Sequence, residues 1–151
     1  MNEDTRDRPV SGYFDGKQHR FPVRVYFEDT DLSGIVYHAN YLRYMERARS
    51  DMLRISGIDQ RERMEAGKGA YAVVDLAIKY RLPAKLDDDL LVVSHVVGVR
   101  AASCSIHQRV MRGSEILTEA EVKAALVAPT GRPIRQPREW IDTFKRLETG
   151  E

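Results

Sequence analysis

The chain has 151 residues, 42% hydrophobic and 31% charged, enough for one ordinary domain and too few for two. Its 24 lysines and arginines nearly cancel 23 aspartates and glutamates, so the net charge of +1 lacks the basic excess of a dedicated nucleic-acid binder. A single cysteine, Cys104, excludes an intramolecular disulfide and a cysteine-rich zinc site.

Residues 1–19 are polar, carry Pro9 and Gly12, and show no period. They read as a flexible extension ahead of one domain over residues 20–151. Residues 1–20 also lack the apolar core of a secretory signal, and no stretch approaches the ~18 apolar residues of a spanning helix. A cytoplasmic location is therefore expected.

Order is expected from Arg20. The run Phe21–Phe27 is rich in branched and aromatic residues and reads as a strand, with Pro22 near its start. After a turn-rich segment, Tyr41, Met45, Ala48, Met52 and Ile55 recur at alternating intervals of four and three. That spacing is one face of a long helix, with Asn40 as its N-cap and Gly57 just past its end. A shorter helix is expected over Asp59–Ala66.

Strands follow over Tyr71–Tyr80, Leu90–Val99, Ala102–Met111 and Ile116–Val127. In the third of these, Cys104, Ile106 and Val110 fall on one parity and His107 and Arg109 on the other. Arg112–Ser114 reads as a hairpin connection, and Pro137–Leu147 as a terminal helix carrying Trp140, Ile141, Phe144 and Leu147. A strand, a long helix and four successive strands make an α+β plan, one antiparallel sheet with a helix on its apolar face. Crossover helices for a parallel sheet are missing.

Several familiar sites are absent: the sequence has no G-x-S-x-G elbow, no phosphate-binding glycine loop and no H-E-x-x-H. Cys104 and His107 lie three apart on a strand and so point to opposite faces. His19, His95 and His107 lack metal-ligand spacing. The segment Asp29–Asn40, DTDLSGIVYHAN, is richer. It gathers two carboxylates, a hydroxyl, a histidine and an amide just before a helix N-terminus, where free N–H groups stabilise negative charge. Its opening matches part of a calcium loop, but Asn40 stands where the bidentate glutamate belongs. An Asx-turn is the structural alternative, better suited to Asp29 than to Asp31.

The run Phe27–Tyr41, continuing through Met45–Arg49 and again over Tyr80–Asp88, resembles the signature of hotdog-fold acyl-CoA thioesterases. The similarity is to the YbgC-type branch, associated with the Tol–Pal envelope system and related to 4-hydroxybenzoyl-CoA thioesterase. It covers roughly residues 21–137. The resemblance implies an antiparallel sheet wrapped around a long central helix, subunits paired as a homodimer or homotetramer, and sites at the dimer interface. It places the catalytic aspartate on Asp31 and the thioester-polarising backbone N–H near His38. Gly34, Val36, Tyr37 and Asn40 become candidates for substrate binding. Glu46 joins them as a second carboxylate, its structural alternative being an ion pair with Arg43, Arg47 or Arg49.

The implied reaction is hydrolysis of an acyl-CoA, or acyl-carrier-protein, thioester to acid and thiol. Asp31 serves as nucleophile or general base, and the helix N-terminus receives the oxyanion. No metal or other cofactor is expected, because CoA enters as part of the substrate. Two readings on the same fold stay open: a non-catalytic module binding acyl chains, acyl-carrier protein or envelope components, and a dehydratase.

Overall fold

The apolar stripe between Tyr41 and Met52 produces helix α1 (Asn40–Ile55). Tyr41, Tyr44, Met45, Ala48 and Met52 are buried, and the stripe ends there because Ile55 is 40% exposed. Each of the larger side chains removes enough apolar surface from water to contribute about 1.5–3 kcal/mol. Gly57, with φ of 84°, closes the helix. Its N–H donates to Arg54 O and that of Ile58 to Leu53 O, at 3.1 and 2.9 Å, the paired bonds of a Schellman ending. At the other end Ala39, not Asn40, is the capping position, and Asn40 is the first helical residue.

The computed structural model describes residues 5–149. Around α1 run β1 (Tyr13–Asp15), β2 (Gln18–Arg24), β3 (Ala70–Tyr80), β4 (Asp89–Val99), β5 (Ser103–Arg112) and β6 (Glu115–Val127). They form one sheet in the order β1-β2-β4-β5-β6-β3, antiparallel throughout. The short α2 (Gln60–Glu65) is capped by the Asp59 side chain, which accepts from Glu62 N–H. Helix α3 (Arg138–Leu147) packs Ile141 and Phe144 into the core, with Tyr71 against the rings of Trp140 and Phe144. This is the α+β hotdog plan expected above. No helix among the described residues is long and apolar enough to cross a membrane.

The expected extension over residues 1–19 is corrected for its second half, while residues 1–4 lie outside the described residues. Tyr13–Asp15 pairs with Gln18–Arg20 as a hairpin. His19 is fully buried, and its Nε2–H donates to Asp51 Oδ2 of α1 at 2.8 Å. The same carboxylate accepts Gly12 N–H at 2.9 Å and Ser11 Oγ–H at 3.0 Å. Burial lowers the His19 pKa despite this neighbour, so the ring is neutral near pH 7. Asp51 thus ties three points of the N-terminal segment to the central helix. Asp51→Ala leaves the buried ring and the Gly12 amide without their acceptor. The expected cost is about 2–4 kcal/mol, read as a lower urea midpoint with an unchanged slope.

Candidate active site

The loop between β2 and α1 is built on Asp29. This buried carboxylate accepts Tyr26 N–H through Oδ2 at 2.9 Å. Its carbonyl accepts both Tyr37 N–H and the Asn40 side-chain amide, each at 2.9 Å. Asp29 thus ties backbone on both sides of the loop, but the Asx-turn expected for it is made by Asp31, whose Oδ1 accepts Ser33 N–H. Asn40, one of the substrate-binding candidates, is buried, and its side-chain nitrogen donates to the Asp29 carbonyl.

Asp31 is exposed. Its N–H donates to Ile35 O at 2.9 Å, and its carbonyl accepts Gly34 N–H at 3.0 Å. Gly34 makes this reversal at φ of 83°, a backbone region costly for other residues. One carboxylate oxygen, Oδ1, accepts Ser33 N–H at 2.8 Å and Ser33 Oγ–H at 2.5 Å. These donors favour the charged form and hold the Asp31 pKa below its ordinary value. Asp31 is accordingly an ionised carboxylate at neutral pH, with the Ile35 N–H as a further backbone donor.

The loop is clamped to the segment after β3. Val36 N–H donates to Ala84 O at 2.9 Å, and Ala84 N–H to Tyr41 Oη at 3.0 Å. Tyr80 Oη–H donates to the His38 carbonyl at 2.9 Å. The His38 ring lies between Tyr37 and Tyr80, with centroids 4.5 and 6.2 Å away. A cavity of about 420 Å³ results, lined by Asp31, Val36, His38, Tyr41, Tyr80 and Arg81 among others. The backbone N–H groups of His38 and Ala39, at the start of α1, have no protein acceptor among the described residues. An ionised carboxylate and His38, whose backbone N–H has no protein acceptor among the described residues, thus line one cavity.

The remaining candidates separate. Tyr37 stacks on His38 without lining this cavity, and Gly34 shapes the turn beneath it. Glu46 lies elsewhere, at a second cavity between α1 and β3, and makes no ion pair among the described residues. Cys104 is buried with its thiol pushed up to about 12 by desolvation, which makes it a packing group. His107 bonds Glu119 at 2.8 Å on the other face. No cluster of three metal-ligating side chains occurs among the described residues. Tyr80 and Tyr41 were missed by residue-type reasoning, because their role is to hold backbone atoms.

The family model of the thioesterase superfamily matches residues 33–119, more than half of the chain. The chain belongs to the thioesterase superfamily. This thioesterase is 43% identical over 129 residues to the acyl-CoA thioesterase YbgC of Haemophilus influenzae, covering 85% of this chain and 95% of that protein. It is 39% identical to the acyl-CoA thioester hydrolase YbgC of Escherichia coli O6:H1, over 84% of this chain and 96% of that protein. A crystal structure of a probable thioesterase from Bartonella henselae superposes with a TM-score of 0.75 at 35% identity, covering 80% of this chain and 99% of that chain.

Ser33 gives a direct test of the electrostatics. A carboxylate with a depressed pKa keeps its charge until the pH falls through that depressed value. Ser33→Ala removes the Oγ donor and should move the Asp31 midpoint upward, toward the ordinary ~3.9 of an aspartate. An NMR titration following the Asp31 side-chain carboxyl reads this shift.

Proposed function

We propose that the protein hydrolyses acyl-CoA thioesters to a carboxylic acid and free CoA, acting in the cytoplasm, with Asp31 as the reacting carboxylate. The observation that carries this reading is the shared cavity, lined both by exposed, ionised Asp31 and by His38, whose backbone N–H has no protein acceptor among the described residues.

Thioester hydrolysis requires an oxygen nucleophile and donors for the developing oxyanion. Asp31 Oδ2 attacks the carbonyl carbon, expelling CoA thiolate and leaving a mixed anhydride that water then opens. Alternatively, the same oxygen takes a proton from a water that attacks. In both routes the carbonyl oxygen gains negative charge, which the His38 N–H stabilises with the positive end of the helix dipole behind it. A donor of this kind is worth about 3 kcal/mol in the transition state. Tyr80 holds the His38 carbonyl, which belongs to the next peptide unit, the one that carries the Ala39 N–H. A carrier-protein thioester would present the same reacting group, so acyl-carrier protein belongs to the substrate panel.

The working unit in this reading is a homodimer formed through β3. That strand has β6 on one side only, and Val73, Val74 and Leu76 on it are exposed. A free eleven-residue edge with apolar side chains is an aggregation hazard unless another strand covers it. Light scattering should give twice the 17.3 kDa chain mass, and Leu76→Lys should lower it toward one.

Asp31→Asn tests the chemistry. The amide keeps the shape of the loop and loses the charge, so thiol release from acyl-CoA should fall by about 10²–10⁴-fold in a protein with unchanged circular dichroism. A folded variant as fast as wild type overturns the assignment. A wild type that binds acyl-CoA or acyl-carrier protein and releases no thiol from any of them supports the binding-module reading.

A further inference from the structure

A third cavity, of about 480 Å³, lies on the exposed side of α1, bordered there by Val10 and Phe21 as well as by helix residues. Neither Asp31 nor His38 lines it. Three of its residues are arginines: Arg43, Arg47 and Arg54. All three are exposed, and none makes an ion pair or a side-chain hydrogen bond among the described residues. At 3.6 residues per turn, Arg47 and Arg54 fall within about 40° of Arg43 around the helix axis, so the three share one stripe. Arg43 and Arg47 are also one turn apart, a spacing at which like charges repel.

The acidic residues of the cavity do not cancel this charge. Asp51 is buried, and its carboxylate is occupied by His19 Nε2–H, Gly12 N–H and Ser11 Oγ–H. Glu46 is exposed and pairs with none of the arginines. The Asp51 bonds also tie down the N-terminal segment, so the cavity has a fixed wall. Val10, 67% exposed, and half-buried Phe21 place apolar surface beside the arginines.

Arg43 and Arg54 lie about 16 Å apart along the helix axis. A single tetrahedral anion is too small to meet guanidinium groups spread over that length. A chain of linked phosphates is not, and each guanidinium fork matches a pair of its oxygens. The volume also falls within the ~300–1,000 Å³ of small-molecule sites. We propose that this cavity binds an oligophosphate carried on an organic group, with the arginine stripe along the phosphates and Phe21 against the attached group. The assignment goes beyond the thioesterase reading, because binding here requires no reaction at Asp31.

Calorimetric titration of the whole protein tests it, with inorganic triphosphate and orthophosphate compared at one ionic strength. Triphosphate should bind about tenfold or more tightly than orthophosphate. Equal affinities, or no binding of triphosphate, overturn the proposal. Arg43→Met with Arg47→Met should weaken triphosphate about tenfold, and Arg54→Met alone about threefold. Glu46→Gln should tighten it about twofold, by removing a like charge. The pair Arg132→Met and Arg135→Met removes equal charge from exposed positions outside the cavity, and should leave the affinity within about twofold. Unchanged affinity in the Arg43 and Arg47 variant overturns the site, as does an equal loss in the Arg132 and Arg135 variant. Arg54→Met and Glu46→Gln carry the test if the double variant fails to fold. Titration with ATP and with CoA separates the two sources of such a group. Tighter binding of ATP assigns the site to a free nucleotide, and tighter binding of CoA to the phosphates of the thiol itself. If neither exceeds triphosphate, the role of Phe21 is overturned. A protein that binds these anions yet releases no thiol from any acyl-CoA refutes the hydrolase reading and leaves this site standing.

Discussion

Gln108 is where sheet, helix and cavity meet. A side-chain amide buried completely inside an apolar core is tolerated only when its polar atoms are satisfied. Here the amide nitrogen donates to the Met45 carbonyl of α1 and to Ser94 of β4, while the oxygen accepts from Arg49 of α1. Hydrophobic contact alone lets a helix slide or rotate over a sheet at modest cost. Three directional bonds inside that contact give one seating a clear advantage over its neighbours. The placement of the α1 N-terminus beside the cavity that Asp31 lines follows from that seating.

The loop between β2 and α1 divides its labour between two aspartates two residues apart. Asp29 is turned inward and uses its carboxylate and carbonyl to hold Tyr26, Tyr37 and Asn40. Asp31 is turned outward, and its carboxylate accepts from donors of its own turn, Ser33 and the Ile35 N–H. Local bonding within this turn keeps Asp31 charged without attaching it to the core. The helix start is left incomplete in a complementary way: Asn40 and Leu42 N–H find carbonyls within the turn, while those of His38 and Ala39 do not. Unsatisfied donors beside a charged acceptor would be a defect in a purely structural turn. Their placement at the mouth of a cavity is what a developing oxyanion requires.

Much of this was legible in the sequence, for reasons that can be stated residue by residue. The periodicity from Tyr41 to Met52 and the parity of Cys104, Ile106 and Val110 report burial directly, so α1 and β5 emerge from pattern alone. Asp31 and His38 were legible through the resemblance and through their place before a helix. The N-terminal hairpin was not, because its hold on the fold is His19 meeting Asp51, a contact 32 residues away that no local period encodes. Gln108 shares the buried parity of β5 yet is polar, and only its three partners make that intelligible. Asn40 carries the residue type of a cap, but the nearby Asp29 carbonyl claims its amide. Glu46 has arginines at ion-pair spacing on both sides and joins none of them, since spacing permits a pair without requiring one.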